Sequence, residues 1–156
     1  MNEPTKAQQI SRSGEFNLAC SAEEAFPMLS PEGERTWVPG WNPQPIFPDA
    51  IEFSRDTVFR QGDGGEEAIW TIVDVDPESH CAEYVKVAPA SHAAHIVVKV
   101  QPINSQNCRV SVTYTVTAFG KEGTSVLEAF SESTYAEKMR NWKRQITACL
   151  EKQVAS

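Results

Sequence analysis

The histidines are the first residues in this chain whose type could bind a metal or transfer protons. His80 is followed by Cys81, and His92 stands three residues before His95. A turn near Ala90 would separate His80 from His92 by about 25–30 Å at about 3.3 Å per residue, and strand residues three apart point to opposite faces. A closed zinc site brings its ligands to one point, so this pattern predicts no metal site. His95 alone could face the interior as a polar anchor or proton donor, with a surface position as the alternative.

Charged and hydroxyl side chains supply the other candidates for acid–base chemistry. Arg60 and Glu67 lie on either side of a glycine-rich turn and could pair across two strands. If Arg60 points inward instead, its guanidinium could hold a carboxylate or an enolate. Tyr114 is a further candidate acid. The sequence has no GxSxG elbow, no glycine-rich phosphate loop before a helix and no HExxH motif, so it gives nucleophilic chemistry no support.

The composition favours a soluble domain without nucleic-acid or membrane partners. The 156 residues include 14 basic and 21 acidic side chains, a formal net charge of −7. An acidic domain repels phosphate backbones, and neither a basic amphipathic face nor a long apolar stretch indicates membrane binding. The N-terminus lacks the apolar core of a signal peptide, and the cysteines form no CxxC pair. We therefore expect one cytoplasmic domain over 1–156, with a flexible lead over 1–9, buried thiols and no cofactor.

Alternating apolar residues predict an antiparallel sheet of about six strands. The predicted strands cover residues 6–19, 57–61, 67–76, 80–88, 92–103 and 108–119. Turns separate them, the clearest being Gly62-Asp-Gly-Gly65. The last strand alternates most cleanly, with Val110, Val112, Tyr114 and Val116 on one face. The sheet should therefore have one apolar face and one wet face.

Capping signals predict two short helices after the first strand. Ser21-Ala-Glu-Glu24 has the pattern of a capping box, and Pro31 opens a second short helix that ends near residue 35. Pro27 falls inside the first helix, predicted over 22–29, and conflicts with it. Prolines then recur so often that residues 38–49 are predicted to form an ordered loop without regular structure.

One long amphipathic helix of about 28 residues is predicted to begin at Thr124. Apolar residues recur through it at three- and four-residue steps, and at about 1.5 Å per residue it would span about 40 Å, enough to cross the sheet. Ser131 and Thr134 interrupt the apolar stripe in its first half. A solid core would have large aliphatic residues there, so we expect space for a guest molecule beside Phe130 and Tyr135. A helix phase that is wrong by one residue is the alternative.

This order of elements, with certain residues in it, resembles a known superfamily. The residues that carry the resemblance are Ser21-Ala-Glu-Glu-Ala-Phe26, Trp37-Val-Pro-Gly-Trp41, Trp70-Thr-Ile-Val-Asp-Val-Asp-Pro77, Thr113-Tyr-Thr-Val-Thr117, and Tyr135 with Trp142. From about Ser11 to Leu150 the chain resembles the SRPBCC superfamily of START-type lipid-transfer domains, polyketide cyclases and birch-pollen-allergen-like proteins. The resemblance implies an α+β helix-grip fold, in which a curved antiparallel sheet wraps around a long C-terminal helix. Two short helices follow the first strand, and an apolar cavity lies between the helix and the sheet.

The resemblance also implies that a small hydrophobic or amphipathic molecule, of lipid, polyketide or aromatic type, binds in the cavity. The expected ligand-binding residues are Trp37, Trp41, Arg60, Trp70, His95, Tyr114, Phe130 and Tyr135. Trp37 and Trp41 would lie at the cavity mouth, or else seal the end of the sheet as core residues. The alternative is an enzyme similar to polyketide cyclases or dehydratases, in which Arg60, His95 or Tyr114 would steer an enolate. An interaction module is a third possibility, and no oligomeric state is predicted.

Overall fold

A seven-stranded antiparallel sheet and a long C-terminal helix dominate the computed structural model, which describes residues 7–63, 66–120 and 122–155. The strands are β1 (Gln8–Leu18), β2 (Gln44–Phe47), β3 (Val58–Asp63), β4 (Glu66–Asp76), β5 (Cys81–Ala88), β6 (His92–Asn104) and β7 (Asn107–Ala118). They lie in the order β1-β7-β6-β5-β4-β3-β2, each antiparallel to its neighbours. The predicted α+β helix-grip fold is confirmed, with seven strands in place of about six.

Strict alternation of side chains decides which face of the sheet is buried. Every second residue from Cys108 to Ala118 is buried in β7, and the same holds from His92 to Val100 in β6. Pairing of the two strands places the buried residues of β6 opposite those of β7, for example Val100 opposite Val110. A slip of one residue would turn a whole apolar set towards water, so burial of this face fixes the register.

The segment between β1 and β2 contains three short helical turns. They are α1 (Ala22–Ala25), a 3₁₀ turn (Phe26–Leu29) and α2 (Pro31–Glu34). Ser21 and Glu24 form the predicted capping box, and the chain then tightens into the 3₁₀ turn, whose early position accommodates Pro27. The predicted cap and the proline are therefore compatible. The Ser30 hydroxyl caps α2 by accepting a hydrogen bond from the amide of Gly33.

The C-terminal segment forms two helices where one was predicted. They are α3 (Gly123–Ala129) and α4 (Glu132–Ala155). Phe130 leaves helical geometry, with φ −112° and ψ 26°, and the Ser131 hydroxyl accepts a hydrogen bond from the amide of Thr134. Ser131 thus caps a new helix and competes with continuation of the first one. None of the helices in the described ranges is long and apolar enough to cross a membrane.

Two other local predictions differ from the structure. The short strand β2 lies inside the proline-rich segment that was predicted as an irregular loop. Its Pro45 pairs with Phe59 at the edge of the sheet, where a strand tolerates a residue without an N–H group. Residues 8–9 of the expected flexible lead belong to β1, while residues 1–6 lie outside the described residues, as do residues 64–65 of the predicted hairpin turn.

The sequence predicted that the cysteines are buried thiols, and the structure buries two of the four. Cys20 and Cys108 are buried, whereas Cys81 and Cys149 are partly exposed, and all of them are free. Burial raises the pKa of the Cys20 thiol to about 12, with a smaller contribution from the adjacent Cys108. These two thiols therefore behave as small apolar side chains of the core.

Helix α4 crosses strand β1 at Gly14. A Cβ atom at this position would stand 2.6 Å from Met139 Cγ and 3.3 Å from Tyr135 Cε1. Both side chains are buried against the strand, together with Ile146 further along the helix. Glycine within a strand often marks such a close approach. Gly14 therefore allows α4 to lie against this end of the sheet.

Gly33→Ala is expected to lower the free energy of unfolding by about 2 kcal/mol or more, because a methyl group there meets backbone. It would overlap the carbonyl oxygen of Pro27 and lie 2.7 Å from Met28 Cα. Gly14→Ala is the matched comparison, since its methyl group meets the rotatable side chain of Met139, and we expect a loss of about 1 kcal/mol. Urea unfolding followed by circular dichroism measures both. Equal losses would contradict this account.

Candidate functional site

A cavity of about 650 Å³ lies between the inner face of the sheet, the α2 segment and the C-terminal helices. The aromatic side chains on its wall are Trp41, Phe59, Trp70, Tyr84, Tyr114, Phe130 and Trp142. Alanines at positions 68, 88 and 129 leave room between these rings. The volume falls within the usual range of small-molecule sites, about 300–1,000 Å³.

The aromatic rings form a stiff wall at one side of the cavity. Phe59 and Trp70 are cross-strand partners on β3 and β4, and their rings stack at 5.7 Å with an angle of 13° between the planes. Trp41 meets Trp70 edge-on at 5.5 Å and 88°, and Tyr84 meets it edge-on at 6.3 Å. These are the offset and edge-to-face arrangements that aromatic pairs prefer. The wall therefore presents flat rings in fixed orientations.

Trp70 carries a polar atom that this wall does not satisfy. Its Nε1 is buried and has no hydrogen-bond partner in the part of the chain that the structure describes. The comparable atoms of Trp37 and Trp41 donate to the carbonyl oxygens of Met28 and Pro31, at 2.7 Å and 2.8 Å. A buried donor without a partner costs about 1–3 kcal/mol and is rare in folded proteins.

Glu34, the last residue of α2, brings an acidic group to the cavity. It borders the cavity and so keeps part of its surface accessible, while the surrounding protein shields its carboxyl group from bulk water. This desolvation raises the pKa of Glu34 from an ordinary 4.5 to about 8, and the positive charge of Lys138 opposes the shift. The carboxyl group is therefore largely protonated at neutral pH. A group with a pKa in this range is suited to proton transfer.

Lys138, on α4, brings a positive charge to the cavity. Its Nζ lies 4.4 Å from the ring centroid of Tyr114, 5.0 Å from that of Phe130 and 5.7 Å from that of Trp142. Cations within about 6 Å of an aromatic face are attracted by the ring quadrupole. These rings hold the ammonium group beside the cavity.

Tyr84 and His92 add polar atoms from the central strands. The Tyr84 hydroxyl donates a hydrogen bond to the carbonyl oxygen of Leu29 at 3.0 Å. Burial first, and then Glu34 and Tyr114, hold the pKa of Tyr84 well above its usual value, so this hydroxyl stays protonated. His92 is buried, and its Nδ1 lies 2.6 Å from the hydroxyl oxygen of Ser91. Tyr84 thus joins the cavity wall to the helical segment.

Several residues predicted from the sequence lie on the cavity wall. They are Trp41, Trp70, Tyr114 and Phe130. Tyr114 packs against Phe130 at 5.3 Å between ring centroids and shares the neighbourhood of Lys138. Their assignment as ligand-binding residues stays a prediction.

Trp37 and Tyr135, also predicted as ligand-binding, are core residues outside the cavity lining. Trp37 is buried and meets Trp142 edge-on at 5.3 Å, which corresponds to the core alternative considered for it. The Tyr135 hydroxyl donates to the carbonyl oxygen of Val112 at 2.6 Å, and its ring borders a separate groove between β1 and α4. Of the two residues beside which a guest molecule was expected, Phe130 therefore borders the cavity and Tyr135 does not.

Arg60 and His95 lie on the outer face of the sheet. Arg60 Nη1 is 2.9 Å from a carboxylate oxygen of Glu67, and His95 Nε2 is 3.1 Å from one of Glu83. About half of each side chain is exposed, 52% for Arg60 and 48% for His95. Neither residue is on the cavity wall. Strand alternation turns His92 inward instead of His95. No group of three or more His, Cys, Asp and Glu side chains in the described ranges could hold a metal ion.

The sequence interpretation missed several polar residues of the cavity, among them His92, Lys138 and Glu34. His92 has the same parity as the buried residues of β6, so the alternation could have identified it. Lys138 stands four residues before Trp142 and therefore lies on the same face of the helix. Trp142 belongs to the predicted apolar stripe, so the helical period could have placed Lys138 beside it. Glu34 has no comparable signal, because its position depends on how α2 docks against the sheet.

The comparisons with known proteins identify the fold. No family model matches the chain, and no curated protein matches its sequence. Norcoclaurine synthase from Thalictrum flavum, solved in complex with dopamine and hydroxybenzaldehyde, has a TM-score of 0.64 at 14% identity, over 94% of this chain and 88% of that one. A START superfamily protein from Mycobacterium smegmatis has a TM-score of 0.65 at 12% identity, over 92% and 98% of the two chains.

A third solved structure is similar in only one part of its length. The di-domain ARO/CYC protein BexL, from the BE-7585A biosynthetic pathway, has a TM-score of 0.64 at 12% identity, over 88% of this chain and 46% of that one. Together these likenesses show that the chain has an SRPBCC-type fold. Function must be argued from the site, since one fold serves many activities.

The raised pKa of Glu34 gives stability a defined dependence on pH. Between the ordinary value of 4.5 and the folded-state value of about 8, the folded protein binds more protons than the unfolded chain. The contribution of Glu34 to stability is therefore full below the lower value and is lost as the pH rises through the upper one. Relative to Glu34→Gln, the free energy of unfolding should fall by about 2–4 kcal/mol between about pH 5 and pH 8.

Urea denaturation of the wild type and of Glu34→Gln at a series of pH values measures this difference. Glu23→Gln, at an exposed position of α1, is the control and should behave as the wild type does. If the free energy of unfolding changes with pH in the same way for the wild type and for Glu34→Gln, the carboxyl group is not desolvated.

Proposed function

We propose that the protein binds a hydrophobic or amphipathic small molecule, of lipid, polyketide or aromatic type, in the cavity between the sheet and the C-terminal helices. The observation that carries this proposal is the cavity of about 650 Å³, whose largely aromatic wall also holds charged side chains such as Glu34, Lys86 and Lys138. Apolar walls supply affinity by removing ligand surface from water, and a few fixed polar groups orient the ligand. Trp41, Trp70, Tyr114 and Phe130 are the proposed ligand-binding residues.

The similar solved structures support a small-molecule ligand by analogy of fold. The norcoclaurine synthase structure contains dopamine and hydroxybenzaldehyde, two small aromatic molecules. The analogy concerns the fold alone, so the proposal depends on the cavity of this chain. Its partly exposed Trp70 ring, which stacks on the buried ring of Phe59, is suited to contact a flat apolar ligand.

Native mass spectrometry is the first test of this proposal. The protein as purified from cells is compared with the same sample after extraction with organic solvent. A discrete additional mass that extraction removes would support the proposal and would identify the ligand class. An apo mass that also fails to increase with added apolar probes would contradict it.

Ala88→Phe is expected to block binding by filling the cavity. Ala88 is fully buried on the cavity wall, so a phenyl group there occupies the space of the ligand. We expect the affinity for the neutral fluorophore N-phenylnaphthylamine to fall by about tenfold or more, since this corresponds to about 1.4 kcal/mol. Ala93→Phe, on the outer face of the neighbouring strand, is the control. Equal affinities in the two variants would move the site elsewhere.

A second candidate function is an enzyme similar to polyketide cyclases or dehydratases. The observation that favours it is Glu34, whose pKa of about 8 suits general acid–base catalysis near neutral pH. The protonated carboxyl group could donate its proton to the carbonyl oxygen of a ketone while a water molecule removes the α-proton, and the two transfers together form the enol. Lys138 would then stabilise the resulting carboxylate, since its charge already opposes the shift in the pKa of Glu34. Glu34 replaces Arg60 and His95 as the acid–base candidate.

Glu34→Gln is expected to lower the catalysed exchange of α-protons in benzoylacetone by about a hundredfold, because an amide cannot donate the proton. Proton magnetic resonance in deuterium oxide measures the exchange rate, with Glu23→Gln as the control. The wild-type rate should also fall as the pH rises above about 8, where Glu34 loses its proton. A wild-type rate no higher than that of the buffer would exclude this reaction and leave the binding proposal.

A further inference from the structure

The outer face of the sheet, which points away from the cavity, is divided into a hydroxyl-rich half and an apolar half. Over β1 and β7 it carries paired serines and threonines, such as Ser11 and Thr115, whose hydroxyl oxygens lie 3.1 Å apart. Such polar pairs are typical of a face in contact with water. Over β2 to β5 the same face carries exposed large apolar side chains, namely Phe47, Ile69, Val73 and Val87. Clustered apolar side chains on a surface mark an interaction site.

Cross-strand pairing gathers these apolar residues into one continuous surface. Ile69 on β4 lies opposite Val87 on β5, and in the next row Thr71 lies opposite Val85. Thr71 therefore stands near the centre of the apolar half. We use the name outer patch for the surface formed by Phe47, Ile69, Val73, Val85 and Val87.

Two ion pairs border the outer patch at opposite corners. Arg60 Nη1 lies 2.9 Å from a carboxylate oxygen of Glu67, and His95 Nε2 lies 3.1 Å from one of Glu83. The four side chains are between 38% and 61% exposed, so each can still contact a second surface. Each corner thus presents one basic and one acidic group beside the apolar residues.

The register of the strands relates the two corners to each other. Arg60 is one strand and one row away from Thr71, and Glu83 is one strand and one row away in the opposite directions. At about 3.4 Å per residue and about 4.8 Å per strand, Glu67 lies about 14 Å from Thr71 and His95 about 10 Å. A two-fold axis between two such faces, passing diagonally over Thr71, exchanges the positions of Arg60 and Glu83. The same axis brings Glu67 to about 6 Å from the position of His95.

We propose that the outer patch is the contact surface of a homodimer, in which two copies of the chain pack face to face about this two-fold axis. Arg60 of one copy then faces Glu83 of the other, and Glu67 faces His95. A surface that carries its own complement in this way meets the requirement of an isologous interface. The strands of the two sheets cross at a steep angle, as in orthogonal sheet packing. Opposite charges fix the orientation, and the apolar side chains between them supply the buried area.

Sedimentation velocity at concentrations from about 1 to about 300 μM measures the association. With its charged corners the outer patch covers β2 to β6, about 19 Å, and residues 67–74 of β4, about 23 Å, or roughly 400 Å² on each copy. This is at the low end for specific interfaces, so we expect a weak dimer with a Kd of about 10–100 μM. Ile69→Lys should raise the Kd by about tenfold or more, because it places a charge in the apolar contact. Ser11→Lys, on the hydroxyl-rich half, is the matched control and should leave the Kd unchanged.

Two double variants test the orientation of the dimer, because each reverses one ion pair without removing it. The first combines Arg60→Glu with Glu67→Arg, and the second combines Glu83→Lys with His95→Glu. Either variant alone should dimerise about tenfold more weakly than the wild type or worse, since like charges then face each other across the interface. An equimolar mixture of the two should dimerise about as well as the wild type, because every reversed group then faces an opposite charge.

Recovery of the dimer in the mixture would support the proposal, since a fold damaged by substitution is not repaired by a second damaged copy. Circular dichroism checks that each variant is folded. A wild type that stays monomeric over the whole range would overturn the dimer and leave the outer patch to a different protein. A mixture that associates no better than its two components, or equal effects of Ile69→Lys and Ser11→Lys, would also overturn it. None of these outcomes bears on the proposed function, because the cavity lies on the other face of the sheet.

Discussion

Three aromatic side chains bind the short helical segment between β1 and β2 to the rest of the molecule by hydrogen bonds, and this corner of the fold forms one side of the cavity. The carbonyl oxygens of Met28, Leu29 and Pro31 point out of the short helical turns, where a helix end leaves acceptors without partners. They accept hydrogen bonds from Trp37 Nε1, the Tyr84 hydroxyl and Trp41 Nε1 respectively. Each bond joins an apolar ring to a polar backbone group, so burial of the rings and satisfaction of the backbone stabilise the same arrangement. These bonds help to hold α2 in the position from which Glu34 borders the cavity.

The fold could be predicted because its long strands alternate without interruption. In β7 the buried residues from Cys108 to Ala118 repeat at every second position, and that pattern excludes a helix. The break between α3 and α4 was missed, because Ser131 and Thr134 also fit a polar interruption of one helix. Only the backbone geometry of Phe130 distinguishes the two cases. Strand β2 was missed because a sheet edge tolerates the prolines that normally exclude a strand.

The composition of the cavity wall was less predictable, since it depends on how elements dock. Strand parity could have turned His92 inward and His95 outward, and it correctly favours Tyr114 and Trp70 as inner residues. Parity says nothing about α2, whose four residues are too few for a helical pattern. Helix α4 shows the same limit. Tyr135 and Met139 pack against β1, whereas Lys138 and Trp142 border the cavity, so the helix divides its apolar face between a solid core and a pocket.

Two residues that line the cavity, Trp70 and Glu34, carry groups that lower the stability of the fold. A buried N–H group without a partner and a carboxyl group kept neutral by desolvation both cost stability, and a core built for stability alone would contain neither. The donors of Trp37 and Trp41 show that nearby indoles reach backbone carbonyls, so the orphan at Trp70 does not result from a general lack of acceptors in this region. Such departures concentrate where a protein binds or transforms another molecule. Both residues line the same cavity, and the carboxyl group of Glu34 is the one of the two groups for which a proton-transfer role is proposed.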